Sequence, residues 1–163
     1  MNAPDTPRAG WAATLERLGA MPAFLEAALH EAGEDNFAMR PSEDAFALVE
    51  HACHLRDLER EGYLVRMRRI LSEKAPALEP FDGQAVAEAR DYASQDAQAA
   101  AQDFAAARRE LLAVLAALSP DDLKREATFD ARRITLADLV ILVDAHDGEH
   151  RQEIERILDH IED

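Results

Sequence analysis

The chain holds a single cysteine, Cys53, among its 163 residues. It can form no internal disulfide, and nothing implies an oxidising compartment. Basic residues are scarce as well: 18 Lys and Arg stand against 33 Asp and Glu, a formal charge of −15. Nucleic-acid binding needs clustered cations to displace counterions, so the charge argues against that partner. Arg66, Arg68 and Arg69 form the densest basic patch and read as a solvated helix face. Six glycines and seven prolines rule out collagen-like and low-complexity architectures. The longest apolar run, 111–118, falls far short of the ~20 residues that span a bilayer, so no membrane partner is expected. Met1-Asn2-Ala3-Pro4-Asp5 lacks a basic region followed by an apolar core. No secretory signal is expected, and the cytoplasm is the default location. There is no Gly-rich phosphate loop, no G-x-S-x-G, and no pair of Glu-x-x-His segments for a di-iron bundle.

What remains is 48% apolar and 31% charged. That balance suits one domain over 1–163, able to bury roughly 70% of its unfolded surface. Aromatic and β-branched residues are sparse, while Ala, Leu and Glu dominate and favour helix. The reading is all-α, with four main helices. The first covers 7–32, with Pro22 marking a kink or restart and Gly33 a stop. The second covers 43–73, with Ser42 as N-cap. The third covers 94–118, alanine-rich in its first half and apolar in its second. The fourth begins after Thr135, with Asp138 completing a capping box. Long connections separate the second from the third (74–92) and the third from the fourth (121–134). The first of these exceeds the usual ~2–8 residues, enough to carry the chain back and let the second and third helices run parallel.

The fourth helix carries His146-Asp147-Gly148-Glu149-His150. Residues four apart share a helix face, so both imidazoles point the same way. Leu139, Val143, His146, His150, Glu153 and Ile157 form one stripe with the spacing of a bundle seam. Two histidines and Glu153 thus take core positions. Each buried polar group without a partner costs roughly 1–3 kcal/mol, and a bound metal would offset that. His54 on the second helix offers a third imidazole, with His51 its competitor, placed ~60° further round towards solvent. Three imidazoles plus water describe an open, catalytic type of metal site. Core polar residues without a metal are the alternative. The spacing H-D-x-x-H is similar to the zincin H-E-x-x-H, but Asp147 points ~80° from the ligand direction and reads as an exposed acid. Glu153 is better placed to hold a ligand or act as base, or forms a salt bridge at the seam edge. Cys53 reads as a buried core residue. His30 and His160 read as charge–dipole contacts at helix ends. Gly148 faces away from the ligands, for close packing or by simple tolerance.

These residues resemble the DinB/YfiT-like superfamily of bacterial four-helix bundles. His54-Leu55 matches the family's His-Leu pair, Glu50 the acid four residues before it, and Asp57 and Glu59 the acidic run after it. Thr135-Leu136-Ala137-Asp138 resembles the entry into the last helix, and His146 with His150 matches the terminal motif. Phe46 stands where the family usually has Trp. The resemblance implies a four-helix bundle of up-down-down-up topology. It implies a divalent metal, zinc or nickel, held by His54, His146 and His150, and a homodimer. Some relatives are transferases or isomerases that use low-molecular-weight thiols. The resulting expectation is a metal-dependent enzyme that activates a water or a thiol, with Glu50 or Glu153 orienting a ligand. A non-catalytic scaffold or stress-related bundle is the rival.

Overall fold

Stretches rich in Ala, Leu and Glu wind into helix, as their propensities dictate. The computed structural model describes residues 6–162. In chain order its helical elements are α1 (Thr6–Ala32), α2 (Leu48–Asp57), a π-helical segment (Leu58–Tyr63), α3 (Leu64–Ser72), α4 (Gly83–Ala89), α5 (Ala97–Ala116) and α6 (Leu136–Glu162). Strands β1 (Glu126–Phe129) and β2 (Arg132–Thr135) precede α6. The π segment joins α2 and α3 into one rod. Together with α1, α5 and α6 it makes a bundle of four, in which α5 and α6 each pack against both α1 and α2. No helix among the described residues is long and apolar enough to cross a membrane.

The core divides into two clusters. One gathers Leu25, Leu48, Ala52, Phe104 and Ile154; the other gathers Leu18, Met67, Leu111, Leu139 and Val143. Ala97, Ala100 and Ala101 are buried on α5. These small side chains let α2 approach closely, as the alanine-rich half of that helix suggests.

Four local features differ from the sequence reading. Pro22 does not restart α1, which runs through it; burial of Leu18, Met21 and Leu25 on either side holds the helix in place of the lost hydrogen bond. The second helix begins at Leu48 rather than at 43, and Ser42 does not cap it. Glu50 does so instead, its Oε1 accepting from the Ala47 N–H at 3.0 Å. Residues ahead of Leu48 are thereby freed to form a loop that brings Phe46 over the His51 and His54 rings. The all-α expectation also needs correction, because 121–134 is not a plain connection. Glu126 pairs with Thr135 and Phe129 with Arg132, around a turn in which Asp130 and Ala131 have φ of 53° and 62°. Two residues of positive φ give the turn whose twist matches antiparallel strands. The hairpin also anchors the first long connection, where Leu78 N–H donates to Thr128 O at 2.8 Å. By contrast, α6 starts with the expected reciprocal cap. Thr135 N–H donates to Asp138 Oδ2 at 3.0 Å, and Asp138 N–H donates to Thr135 Oγ1 at 3.1 Å.

Candidate metal centre

α2 and α6 lie side by side, and their facing turns carry four histidines. His146 and His150, one turn apart on α6, have ring centroids 4.5 Å apart. His54 on α2 lies 4.8 Å from the His150 ring and 5.7 Å from the His146 ring. One nitrogen from each of His54, His146 and His150 can be chosen so that all three lie within 4.8 Å of one another. His54 and His150 are buried, and His146 is half-buried.

His51 is not turned towards solvent; it is 1% exposed. Its Nδ1 lies 2.9 Å from Nδ1 of His150, and its Nε2 lies 3.6 Å from Glu153 Oε2. His150 therefore has its Nδ1 engaged by His51 and keeps Nε2 for another ligand. His51, His150 and Glu153 form a second group behind the first. Glu153 sits half-exposed at its edge. Glu50, in contrast, is occupied elsewhere: both carboxylate oxygens bond Arg40 at 2.7 Å, and one also caps α2.

The electrostatics keep these rings neutral. Burial lowers His54 to about 4, helped by the neighbouring His146. Burial and His54 lower His51 to about 3. Burial also lowers His146, and it pushes His150 far below the ordinary histidine value, aided by the surrounding rings. Neutral imidazoles offer lone pairs, the form in which histidine binds a metal. Two nitrogens, His54 Nδ1 and His146 Nδ1, are buried without any hydrogen-bond partner among the described residues. An unpartnered buried polar atom costs roughly 1–3 kcal/mol. An all-imidazole donor set of this kind fits zinc, nickel, copper or iron.

The surroundings fix the rings. Phe81 and Phe46 flank His54. Gly83, the first residue of α4, closes over it, so that a Cβ added there would lie 2.6 Å from His54 Cε1 and 2.9 Å from Nδ1. Two cavities meet at the histidines. The larger, about 530 Å³, has an apolar wall including Leu58, Phe81, Phe129 and Leu142, and reaches His54 and His146. The other, about 410 Å³, has a mixed wall, with Phe46 beside Asp44, Gln84, Glu149 and Arg156 around His54, His146 and His150.

One charged cluster beside the site escapes the sequence reading. Asp147 is buried, not an exposed acid. Arg108 of α5, 1% exposed, donates to Glu59 at 2.6 and 2.9 Å, to Asp147 at 2.6 and 3.1 Å, and to Leu18 O at 2.9 Å. Glu59 belongs to the π segment, a backbone feature common near functional sites. The triad ties that segment and α5 to α6 one residue from His146. Its signal was present in the sequence: Ala101, Phe104, Arg108, Leu111 and Leu115 share one helical stripe, with a cation in the middle of it. Arg66 is likewise buried, whereas Arg68 and Arg69 pair with Glu110 and Glu73 at the surface. Gly148 is exposed, with open space where a side chain would be, so it is simply tolerated. Cys53 is buried, as expected of a core cysteine. His30 and His160 are exposed in the last turns of α1 and α6.

Residues 5–154 match the model of the DinB superfamily. The chain belongs to the DinB superfamily. Among solved structures, this DinB chain is similar to YfiT from Bacillus subtilis, described as a probable metal-dependent hydrolase with an unusual four-helix bundle topology. The two share 21% identity over 92% of this chain and 86% of that one, with a TM-score of 0.84. It is also similar to the DinB-like protein YjoA from Bacillus subtilis, at 13% identity, 92% coverage of both chains and a TM-score of 0.57. At such identities the likeness establishes the fold alone. A search of curated protein sequences gave no match.

Proposed function

We propose that this protein is a metal-dependent enzyme in which His54, His146 and His150 hold one divalent ion, zinc or nickel. The observation that carries the reading is the pair of buried, unpartnered imidazole nitrogens within a cluster of three neutral rings. A divalent ion there would lower the pKa of a water or a thiol and make it a nucleophile at neutral pH. Two cavities reach the rings, so substrate and nucleophile can approach from different sides. Hydrolysis, or transfer to a low-molecular-weight thiol, is the reaction class. The first agrees with the description of YfiT.

The chain's own groups have distinct tasks in this scheme. His51 holds the tautomer of His150: for Nε2 to bind an ion, Nδ1 carries the proton and donates it to His51 Nδ1. His51 then directs its Nε2 proton at Glu153. Glu149 borders both cavities beside His146 and is placed to take a proton from the nucleophile. Burial, with Asp147 and Glu59 nearby, raises the Tyr63 phenol well above its ordinary value. It stays neutral and can donate to a substrate oxygen. We also take the bundle to run up-down-down-up, a reading supported by the long connection between α3 and α5.

The test is a screen of ester and amide hydrolysis and of thiol conjugation, with zinc- and nickel-loaded protein beside His146→Ala. Turnover that is lost in the variant and in chelator supports the reading. Turnover that persists in both refutes the metal-dependent reading, and its absence from every arm favours the scaffold.

A further inference from the structure

Arg66 on α3 is 6% exposed, yet no carboxylate among the described residues lies within ion-pair distance of it. This is unusual in a chain with 33 acidic residues and 18 basic ones, where buried Arg108 has two carboxylate partners. The Arg66 Nε donates to Glu79 O at 3.2 Å. Its guanidinium lies 4.6 Å from the Phe129 ring centre and 5.9 Å from that of Tyr63. The Nη groups make no hydrogen bond within the described residues, and neither does the Tyr63 hydroxyl one turn earlier; none of these atoms is fully buried, so they open to the cavity. Both side chains line the larger cavity. The other charged groups of that lining, Asp130 and Glu149, are exposed.

We propose that the larger cavity binds a small organic carboxylate with an apolar body, its carboxylate on Arg66 and the Tyr63 hydroxyl. The apolar part would lie against Phe81, Phe129 and Leu142, with the far end at His54 and His146. A guanidinium with both Nη groups free matches the planar, two-oxygen geometry of a carboxylate. The partly desolvated wall strengthens such a pair, and the ligand would supply the counter-charge that no residue provides. One cation and one phenol suit a monoanion; a phosphoryl group would need more donors than this wall offers. A cavity of about 530 Å³ falls within the range of small-molecule sites. The placement of the reacting end rests on the metal-site reading, while the carboxylate pocket stands on Arg66 and Tyr63 alone.

The test is calorimetric titration of the full chain with phenylacetate and with phenylacetamide, its uncharged counterpart of the same shape. It uses zinc-loaded wild type, Arg66→Met, Tyr63→Phe and His146→Ala. The expected result is about a tenfold preference for phenylacetate in the wild type, the equivalent of ~1.4 kcal/mol. Arg66→Met should abolish that preference, Tyr63→Phe should reduce it, and His146→Ala should keep it. Equal binding of the two probes by wild type overturns the proposal, and that comparison needs no variant to fold. A preference that survives Arg66→Met but disappears in His146→Ala also overturns it, since the carboxylate then sits on the metal. If wild type binds no metal yet keeps the preference, the metal reading fails and the pocket stands.

Discussion

Replacing Gly83 with alanine sets helix propensity against the candidate site. In an exposed helix interior that change would stabilise by up to ~1 kcal/mol. Here the new methyl would lie 2.6 Å from His54 Cε1 and 2.9 Å from its Nδ1. Restoring an ordinary contact of 3.4 Å requires about 0.8 Å of movement. His54 cannot supply this freely, because it is 7% exposed and confined by Phe46, Phe81 and the rings of His146 and His150. Overpacking of this kind costs about 1–3 kcal/mol in the metal-free protein. Metal–ligand distances tolerate only about 0.2 Å, so a displaced His54 also weakens the site. A loss of roughly 10–100-fold in zinc affinity is expected, comparable to losing an outer-shell support. Competition against a chromophoric chelator measures the affinity, and melting with and without zinc measures the stability. A Gly83→Ala protein with wild-type zinc affinity and an unchanged or raised Tm would refute the argument from His54 confinement.

Other outcomes follow from the same geometry. Arg108→Met leaves Glu59 and Asp147 buried without their cation and should cost about 3–5 kcal/mol by urea denaturation; a loss under about 1 kcal/mol contradicts the triad's role. His51→Phe removes the partner of His150 Nδ1 and should lower zinc affinity roughly 10–100-fold while the chain stays folded; unchanged affinity would show that His51 does not orient the ligand. Acid should destabilise the metal-free protein. Burial lowers His51 to about 3 and His54 to about 4 from an unfolded value of 6.5, so the unfolded chain binds protons that the native one refuses. Their contribution is full above pH 6.5 and is lost as pH falls through the native values. The Tm of chelator-treated protein should therefore drop between about pH 7.5 and about pH 5, and a flat or rising profile contradicts the burial.

Periodicity and composition made much of this molecule legible. The stripe containing Leu139, Val143, His146, His150 and Ile157 placed α6 in the bundle, and Thr135 with Asp138 fixed its first turn. The i, i+4 spacing put His146 and His150 on one face, and His54 sits beside them. What remained hidden depended on contacts distant in sequence. His51 looked solvent-facing from its helical angle, but the loop carrying Phe46 and the neighbouring α6 cover it. Asp147 looked exposed because its partner, Arg108, lies 39 positions earlier on another helix. The hairpin was missed because its strands are four residues each and rich in charge. That omission matters for the chemistry, since Phe129 of β1 builds the cavity wall and holds Arg66. Glu50 showed the opposite failure: its spacing from His54 suggested a role at the site, and local capping chemistry with Arg40 claims it instead.

The most direct test is the metal content of untagged protein purified without chelator, measured by plasma mass spectrometry beside His54→Ala, His146→Ala and His150→Ala. Three neutral imidazoles with two unpartnered nitrogens predict about one zinc or nickel per chain in the wild type, and its loss in each variant. If all three variants keep the full complement of metal, the site assignment is wrong; if the wild type takes up none even after soaking, the histidines are core polar residues and the bundle is a scaffold.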